Sequence, residues 1–236
     1  MIVIPMVGLS SRFFQAGYEK PKYQLEIGGE CVFSLAVKSF EKYFKSDKFL
    51  FIIRSDYDSY EFVSRELEAL GVKNYQLKVI DFNTMGQAET VYLGCEDVAG
   101  DEPLYIFNID TFRHDFSKPD ISDTCDGYLE VFRGEGDHWS FIEVDGDRVV
   151  RTTEKNRISD LCSDGLYYFR KKSDFDRIFK LYKDSECTIK GEYYIAPMYN
   201  ALIEEGADIR FELINLNQID FCGTPDEYTA LQNKIY

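Results

Sequence analysis

The chain has 236 residues, 44% hydrophobic and 29% charged, and its 27 basic and 42 acidic side chains give a net charge of −15. That composition is ordinary for a globular protein and excludes disorder, collagen-like repeats and a small disulfide scaffold. So acidic a field argues against DNA, bulk RNA or an anionic membrane surface as partner. No apolar run reaches the length of a membrane span, and the start lacks a signal-like pattern, so a cytoplasmic location is expected.

Taken in chain order, Ile2 to Met6 reads as a buried strand, followed by a loop over 7–22 rich in Gly, Ser and basic residues. Phe33, Leu35, Ala36, Val37, Phe40 and Phe44 recur at helical spacing, which predicts a helix from Val32 to Lys45. Phe49 to Ile53 is a fully apolar strand. Tyr60 to Leu70 is a helix stopped by Gly71. Leu77 to Phe82 is a strand, Gln87 to Leu93 opens a helix, and Leu104 to Phe107 is a strand running into Asn108-Ile109-Asp110-Thr111. This alternation predicts an α/β fold with a parallel sheet covered by helices. Ligands of such sheets bind beyond the carboxyl ends of the strands, which singles out 7–22 and 108–111.

The second half differs. Gly127 to Phe132, Ser140 to Val144, Arg148 to Thr152 and Leu166 to Phe169 read as strands, with Asp145-Gly146-Asp147 as a hairpin turn. Helices are expected at about Ser173 to Tyr182 and Glu192 to Glu205, then a strand from Ile209 to Ile214 and a helix from Pro225. No linker or repeat interrupts the chain, so one domain over 1–236 with an inserted mixed β lobe is expected. The six cysteines have no metal-ligand spacing and are expected to be reduced and mostly buried. Two histidines, His114 and His138, suggest no histidine-based catalytic machinery.

Four motifs could carry chemistry. Gly8-Leu9-Ser10-Ser11-Arg12 follows a strand: Gly permits close backbone approach, consecutive N–H groups and hydroxyls suit an anion, and Arg12 offers a planar fork to phosphate. Lys20-Pro21-Lys22 adds charge, a local exception in an acidic chain; a plain surface loop is the alternative. Asp110, after a strand, suits Mg²⁺ beside a polyphosphate; a helix N-cap or a turn is the commoner use of an Asp so placed. Gly86-Gln87-Ala88-Glu89-Thr90 could approach a base, with Gln87 as both donor and acceptor, or simply start a helix with a polar first turn. Glu154-Lys155 and Gly191-Glu192 could meet sugar hydroxyls and phosphate, or be solvated charges.

The order Gly-x-x-x-Arg, Pro-Lys, Gly-Gln-Ala, Asn-x-Asp, Glu-Lys, Gly-x-Tyr-x-Phe, Gly-Glu and Gly-Thr-Pro-Asp-x-Tyr spans residues 8–228. It resembles the sugar-phosphate nucleotidyltransferase family, and the wording around Gly8 to Phe13 and Gly17 to Tyr23 is similar to members tied to bacterial capsule or lipopolysaccharide synthesis. The resemblance implies a Rossmann-like, GT-A-like three-layer α/β sandwich with a mostly parallel central sheet. It implies Gly8, Leu9, Ser10, Ser11 and Arg12 as the triphosphate loop, Lys22 as the lysine at the α-phosphate and Gln87 as the base reader. Asp110 is then the Mg²⁺ ligand, and Glu154, Lys155, Gly165 and Glu192 bind the acceptor. Many members carry a second metal-ligating Asp where this chain has Phe221, which leaves Asp220 as the candidate. The implied partners are a nucleoside triphosphate, with CTP favoured over UTP or dTTP, and a sugar phosphate or small phosphorylated capsule precursor. A glycosyltransferase of the same fold class and a non-catalytic nucleotide-binding relative are the alternatives. The aromatic content of 16% fits either a large core or a homo-oligomer interface.

Overall fold

A computed structural model describes residues 1–235. In chain order the elements are β1 (Ile2–Pro5), α1 (Ser11–Gln15), β2 (Glu26–Ile27), β3 (Glu30–Cys31), α2 (Val32–Lys38), β4 (Phe49–Ile53), α3 (Ser59–Leu70) and β5 (Tyr75–Val79). There follow α4 (Gln87–Gly94), β6 (Leu104–Phe107), β7 (Thr111–Arg113), β8 (Gly127–Arg133), β9 (Ser140–Asp145), β10 (Arg148–Glu154) and β11 (Leu161–Phe169). Then come α5 (Lys172–Asp184), α6 (Tyr199–Glu204), β12 (Ile209–Ile214), β13 (Ile219–Phe221) and α7 (Pro225–Ile235). The described residues divide into two compact units, neither of them continuous in sequence, which is why composition shows no boundary.

The first unit comprises Met1–Val3, Thr84–Phe107 and Lys118–Leu216. Its strands are ordered β1-β6-β11-β8-β12-β10-β9. The start of β1 pairs parallel with β6, and β12 pairs parallel with β8; the neighbours β6–β11, β11–β8, β12–β10 and β10–β9 are antiparallel. The mixed pairing expected of the second half is therefore present. A tight turn at Gly146, whose φ is +61°, closes the β9–β10 hairpin where the Asp-Gly-Asp signal placed it. β11 is longer than the sequence indicates, because its register shifts between Ser163 and Tyr167 at Gly165, whose φ of +94° makes a bulge. Aromatic rings fill the core: Tyr199 stacks on Phe169 at 4.5 Å, and Tyr92 of α4 stacks on Phe179 of α5 at 4.7 Å.

The second unit comprises, among the described residues, Ile4–Asn83, Asn108–Ser117 and 217–235. β4 pairs parallel with β5, and Met6, just past β1, donates its N–H to Ile52 of β4 at 2.8 Å. Every residue of β4 is buried, as its unbroken apolar run requires. Phe33 of α2 meets Phe51 at 5.5 Å and Phe62 of α3 at 5.9 Å. The predicted helix to Lys45 stops at Lys38 instead. Ser39 turns its hydroxyl to the N–H of Arg113, and Phe40 leaves helical geometry to pack on Phe116 at 5.0 Å, so tertiary contacts override periodicity. β7 and β13 form a short antiparallel ribbon that places Cys222 opposite Asp110, with the Cys222 N–H donating to the Asp110 carbonyl at 2.8 Å.

The α/β class and the sheet at its centre agree with the sequence reading. The helix expected from Glu192 starts only after Pro197, which has no N–H to donate and sits in a 3₁₀ turn that precedes α6. All six cysteines are free, with five buried and Cys187 exposed.

Candidate active site

The site residues expected from sequence fall into two groups, one in each unit. In the second unit, the loop after β1 leads into α1. A Cβ built on Gly8 meets nothing within 4 Å, so this glycine keeps open space above the loop instead of relieving a packing clash. Ser10 adopts a left-handed backbone, φ +50°, and its carbonyl accepts the N–H groups of Phe13 and Phe14 that begin α1. The Ser10 hydroxyl oxygen accepts the Lys22 N–H at 3.1 Å, fastening the loop to the Pro21-Lys22 turn and leaving the hydroxyl proton as a donor. Gly8, Leu9, Ser11 and Arg12 are exposed beside it.

Pro21 fixes the entry to a 3₁₀ turn that carries Lys22. The Lys22 ammonium forms an ion pair with Asp110 Oδ2, with both side chains about one-fifth exposed. A Cβ on Gly223 would lie 3.1 Å from that carboxylate oxygen, so glycine there leaves room for Asp110. Burial, with Asp110 adding to it, pushes the neighbouring Cys222 thiol up to about 12, so it stays protonated and inert.

Asp220 is placed differently from the expectation. Its Oδ1 accepts from Lys234 Nζ at 2.8 Å, and its Oδ2 lies 2.8 Å from His114 Nε2. Burial raises its carboxyl, but the hydrogen bonds from Lys234 and His114 outweigh it and hold the pKa below 3.8. Both oxygens are thus engaged by cationic or ring nitrogens. Phe221 pairs with Thr111 in the ribbon. Among the described residues no group of three or more His, Cys, Asp or Glu is placed to hold a metal. The donor set that remains, one partly buried carboxylate beside open loop space, fits a cation such as Mg²⁺ that takes one carboxylate and fills its shell with phosphate oxygens and water.

In the first unit, Gly86 has φ +110° and ψ 178°, and a Cβ there would lie 2.7 Å from the Tyr193 carbonyl oxygen and 2.9 Å from its nitrogen. Only glycine fits. The Tyr193 N–H donates to Met85 at 2.6 Å and its carbonyl accepts from Ala88 at 3.1 Å, so the Gly-Gln-Ala turn is joined to the chain beside Glu192. Gln87 follows as the first residue of α4. Glu89, which lies in the motif read from sequence but had no role assigned there, is buried and ties this turn down: its Oε2 accepts the Met85 N–H at 2.6 Å, and its Oε1 pairs with Lys183 at 3.0 Å.

Glu154 ends β10 and faces Ser140 across the β9–β10 ladder. The Ser140 hydroxyl donates to Glu154 Oε2 and lies 3.4 Å from the Tyr167 hydroxyl. Burial pushes the Glu154 carboxyl above its usual 4.5; Ser140, Lys155 and Lys190 oppose this, and Glu192 reinforces it. Lys155 has a left-handed backbone, φ +53°, and donates its ammonium to the Tyr194 hydroxyl. Lys190 and Gly191, both at positive φ, form the tight turn that presents an exposed Glu192. Gly165 is buried at its bulge and spends its N–H on the Ser163 hydroxyl at 3.2 Å, so that N–H is committed to the bulge. Glu154, Lys155, Lys190 and Glu192 are therefore electrostatic neighbours. Lys190 was legible as the residue before Gly191-Glu192; Ser140 and Tyr194 had no sequence signal, since only strand register and loop path bring them in. A separate hollow of about 680 Å³, lined among others by Gln24, Cys31, Ser34, Phe62 and Glu66, takes in Lys20 but none of the residues to which the resemblance assigns a role.

No protein-family profile and no curated protein sequence matches the chain. Solved structures do. One from Vibrio cholerae RC9, described as a nucleoside-diphosphate-sugar pyrophosphorylase, shares 48% identity with a TM-score of 0.95, covering 99% of this chain and 100% of that one. A Bacillus anthracis structure described as a glucose-1-phosphate thymidylyltransferase shares 17% identity at TM-score 0.81, over 99% and 94% of the two chains. An inositol-1-phosphate CTP transferase from T. maritima shares 15% at TM-score 0.76, over 99% and 95%. The last two show likeness of fold, which is the GT-A-like arrangement expected.

Proposed function

The chain belongs to the sugar-phosphate nucleotidyltransferase family, and from that premise we propose that it transfers a nucleotidyl group from a nucleoside triphosphate to a sugar phosphate, releasing pyrophosphate. The observation that carries this reading is the Lys22–Asp110 ion pair beside the open Gly8 loop. It puts a cation and a metal-type carboxylate together where a polyphosphate has room.

The acceptor's phosphate oxygen attacks the α-phosphorus, forming a new P–O bond as the bond from the α-phosphorus to the bridging oxygen of the β-phosphate breaks. A phosphate monoester is largely ionised at neutral pH, so no strong general base is needed. The work is to bring two anions together and to neutralise charge that develops in flight. Arg12, the loop N–H groups and the Ser10 and Ser11 hydroxyls bind the triphosphate, while Leu9 offers an apolar contact. Lys22 leaves Asp110 for the α-phosphate. Asp110 would hold Mg²⁺, whose contribution is to offset phosphate charge. Gln87 reads the base, with CTP the first candidate and UTP or dTTP next. Lys155 faces the acceptor phosphate, and Glu154 and Glu192 accept from its hydroxyls. The Gly165 bulge shapes that pocket and contacts the acceptor through its backbone.

Pyrophosphate release should be measured with Mg²⁺, crossing CTP, UTP, dTTP, ATP and GTP with sugar 1-phosphates and small phosphorylated alcohols. Release that needs one nucleotide and one acceptor supports the reading. Nucleotide binding with no release from any pair, in either direction of the reaction, would overturn it.

A further inference from the structure

Glu154 and Lys155 are sequence neighbours of opposite charge in a largely dry place: the Glu154 side chain is 6% exposed and that of Lys155 26%. Left alone, such a pair closes to charge-assisted hydrogen-bond contact, near 2.8 Å. Closed, it would have little to offer a ligand. Here Glu154 Oε1 and Lys155 Nζ stand 3.8 Å apart.

Each group is drawn to a different partner. Ser140 sits opposite Glu154 in the β9–β10 register, so both side chains emerge on one face, and its single hydroxyl proton goes to Glu154 Oε2. The buried Tyr167 hydroxyl, 3.4 Å from Ser140 Oγ, stands on the other side of that serine. Lys155 is turned by its left-handed backbone, which the N–H bond to Trp139 at 2.9 Å holds in place. Its ammonium meets the Tyr194 hydroxyl and lies 4.3 Å from the centre of the same ring. A non-glycine residue kept at positive φ is the kind of local strain that clusters at working sites.

We propose that Ser140 and Tyr194 are positioning residues that hold Glu154 and Lys155 apart, keeping the acceptor-binding pair open for a phosphorylated, hydroxyl-bearing ligand. The role rests on the acceptor assignment made above. The groups facing Glu154 are Ser140 from β9, Tyr167 from β11, the adjacent Lys155, and Lys190 and Glu192 from the turn after α5.

Two variants push this arrangement in opposite directions. Ser140→Ala removes the donor to a buried carboxylate, so the Glu154 titration moves to higher pH. Tyr194→Phe keeps the ring but releases the ammonium onto Glu154, so the titration moves to lower pH. Both should raise the acceptor KM about tenfold, the effect of losing one hydrogen bond to a charged group, and leave the nucleotide KM unchanged. Ser140→Thr, which keeps the hydroxyl, should restore both the titration and the KM. The experiment is a ¹³C-carboxyl NMR titration of glutamate-labelled full-length protein, with Glu154 assigned by Glu154→Gln, run beside the steady-state kinetics. Opposite shifts support the positioning role. Shifts of the same sign, or none, overturn it, because a merely structural role has no reason to split them. The titration needs no substrate. Opposite shifts without nucleotidyl transfer would sink the enzymatic reading alone, and transfer with an unmoved titration would sink the positioning role alone.

Discussion

Gly86→Ala tests the junction beneath Gln87 and Glu192. At φ +110° and ψ 178° the backbone lies in a region essentially reserved for glycine, which costs a side-chain-bearing residue roughly 1–3 kcal/mol. The new Cβ would also stand 2.7 Å and 2.9 Å from the oxygen and nitrogen of Tyr193. Those are backbone atoms, already bonded to Ala88 and Met85, so they cannot swing aside as a side-chain tip would. Relief requires breaking at least one of the two hydrogen bonds, about 0.5–1.5 kcal/mol each. The total is about 2–4 kcal/mol, which a domain of ordinary stability survives. Gly146→Ala is the control: it also has a positive φ, +61°, but its Cβ would meet nothing within 4 Å. That variant should lose only about 1–2 kcal/mol, the left-handed penalty alone. Urea unfolding followed by circular dichroism measures both. Because Gln87 and Glu192 flank the junction, Gly86→Ala should raise the KM for nucleotide and for acceptor together. If Gly86→Ala costs no more than Gly146→Ala, the steric reasoning is wrong.

Lys22→Ala should lower kcat by about 10²- to 10³-fold, by analogy with loss of a charge-stabilising donor, with stability changed by no more than about 1 kcal/mol because the pair is partly solvated; near-normal turnover would remove Lys22 from the mechanism. Glu154 must be ionised to accept hydroxyl protons, so kcat/KM for the acceptor should fall as pH drops through a value above 4.5. The sign for stability is opposite. A carboxyl raised in the folded state binds more protons folded than unfolded between 4.5 and its folded pKa, so its ionisation weakens the fold. Glu154→Gln should therefore lose acceptor affinity at pH 7 without losing stability, which pairing kinetics with a denaturant titration would check. Asp220, held below 3.8, adds stability above that pH that is lost as pH falls through its lower folded value. Asp220→Asn should then cost about 0.2–1 kcal/mol at pH 7 and progressively less on acidification. A thiol reagent on native protein should modify Cys187 first, since the other five cysteines are buried; rapid modification of more than one would contradict the packing.

How much of this was legible in sequence depended on how local each cause is. β4 was read to the residue, because five apolar side chains in a row allow little but a buried strand. The end of α3 was equally plain, since Gly71 takes the left-handed cap at φ +77°. α2 was over-extended because Phe40 and Phe44 keep helical spacing while packing elsewhere: Phe40 on Phe116 and Phe44 on Phe49. The β7–β13 ribbon is three residues a side and joins segments more than a hundred positions apart, so no local pattern could announce it.

The same distinction runs through the candidate site. Glycines were readable because their backbone geometry is their own, as at Gly86. Charged residues were readable as types but not as roles, because a role is set by the partner. Asp110 and Asp220 are both carboxylates at the same ribbon, yet one meets Lys22 and the other is taken by His114 and Lys234. Phe221, where relatives are expected to carry a carboxylate, pairs with Thr111 and brings no charge. Asp220 is engaged by Lys234 and His114, Asp110 is paired with Lys22, and the loop region also carries Arg12 and Lys20. On the proposed function, a protein of net charge −15 would receive its triphosphate where basic side chains gather locally, at Arg12, Lys20 and Lys22. Adding a carboxylate by Phe221→Asp should tighten demand for the metal and weaken nucleotide binding without it. Nucleotide titrations with and without Mg²⁺ would show this, and identical curves for variant and parent would mean that residue 221 takes no part in the proposed metal site at Asp110.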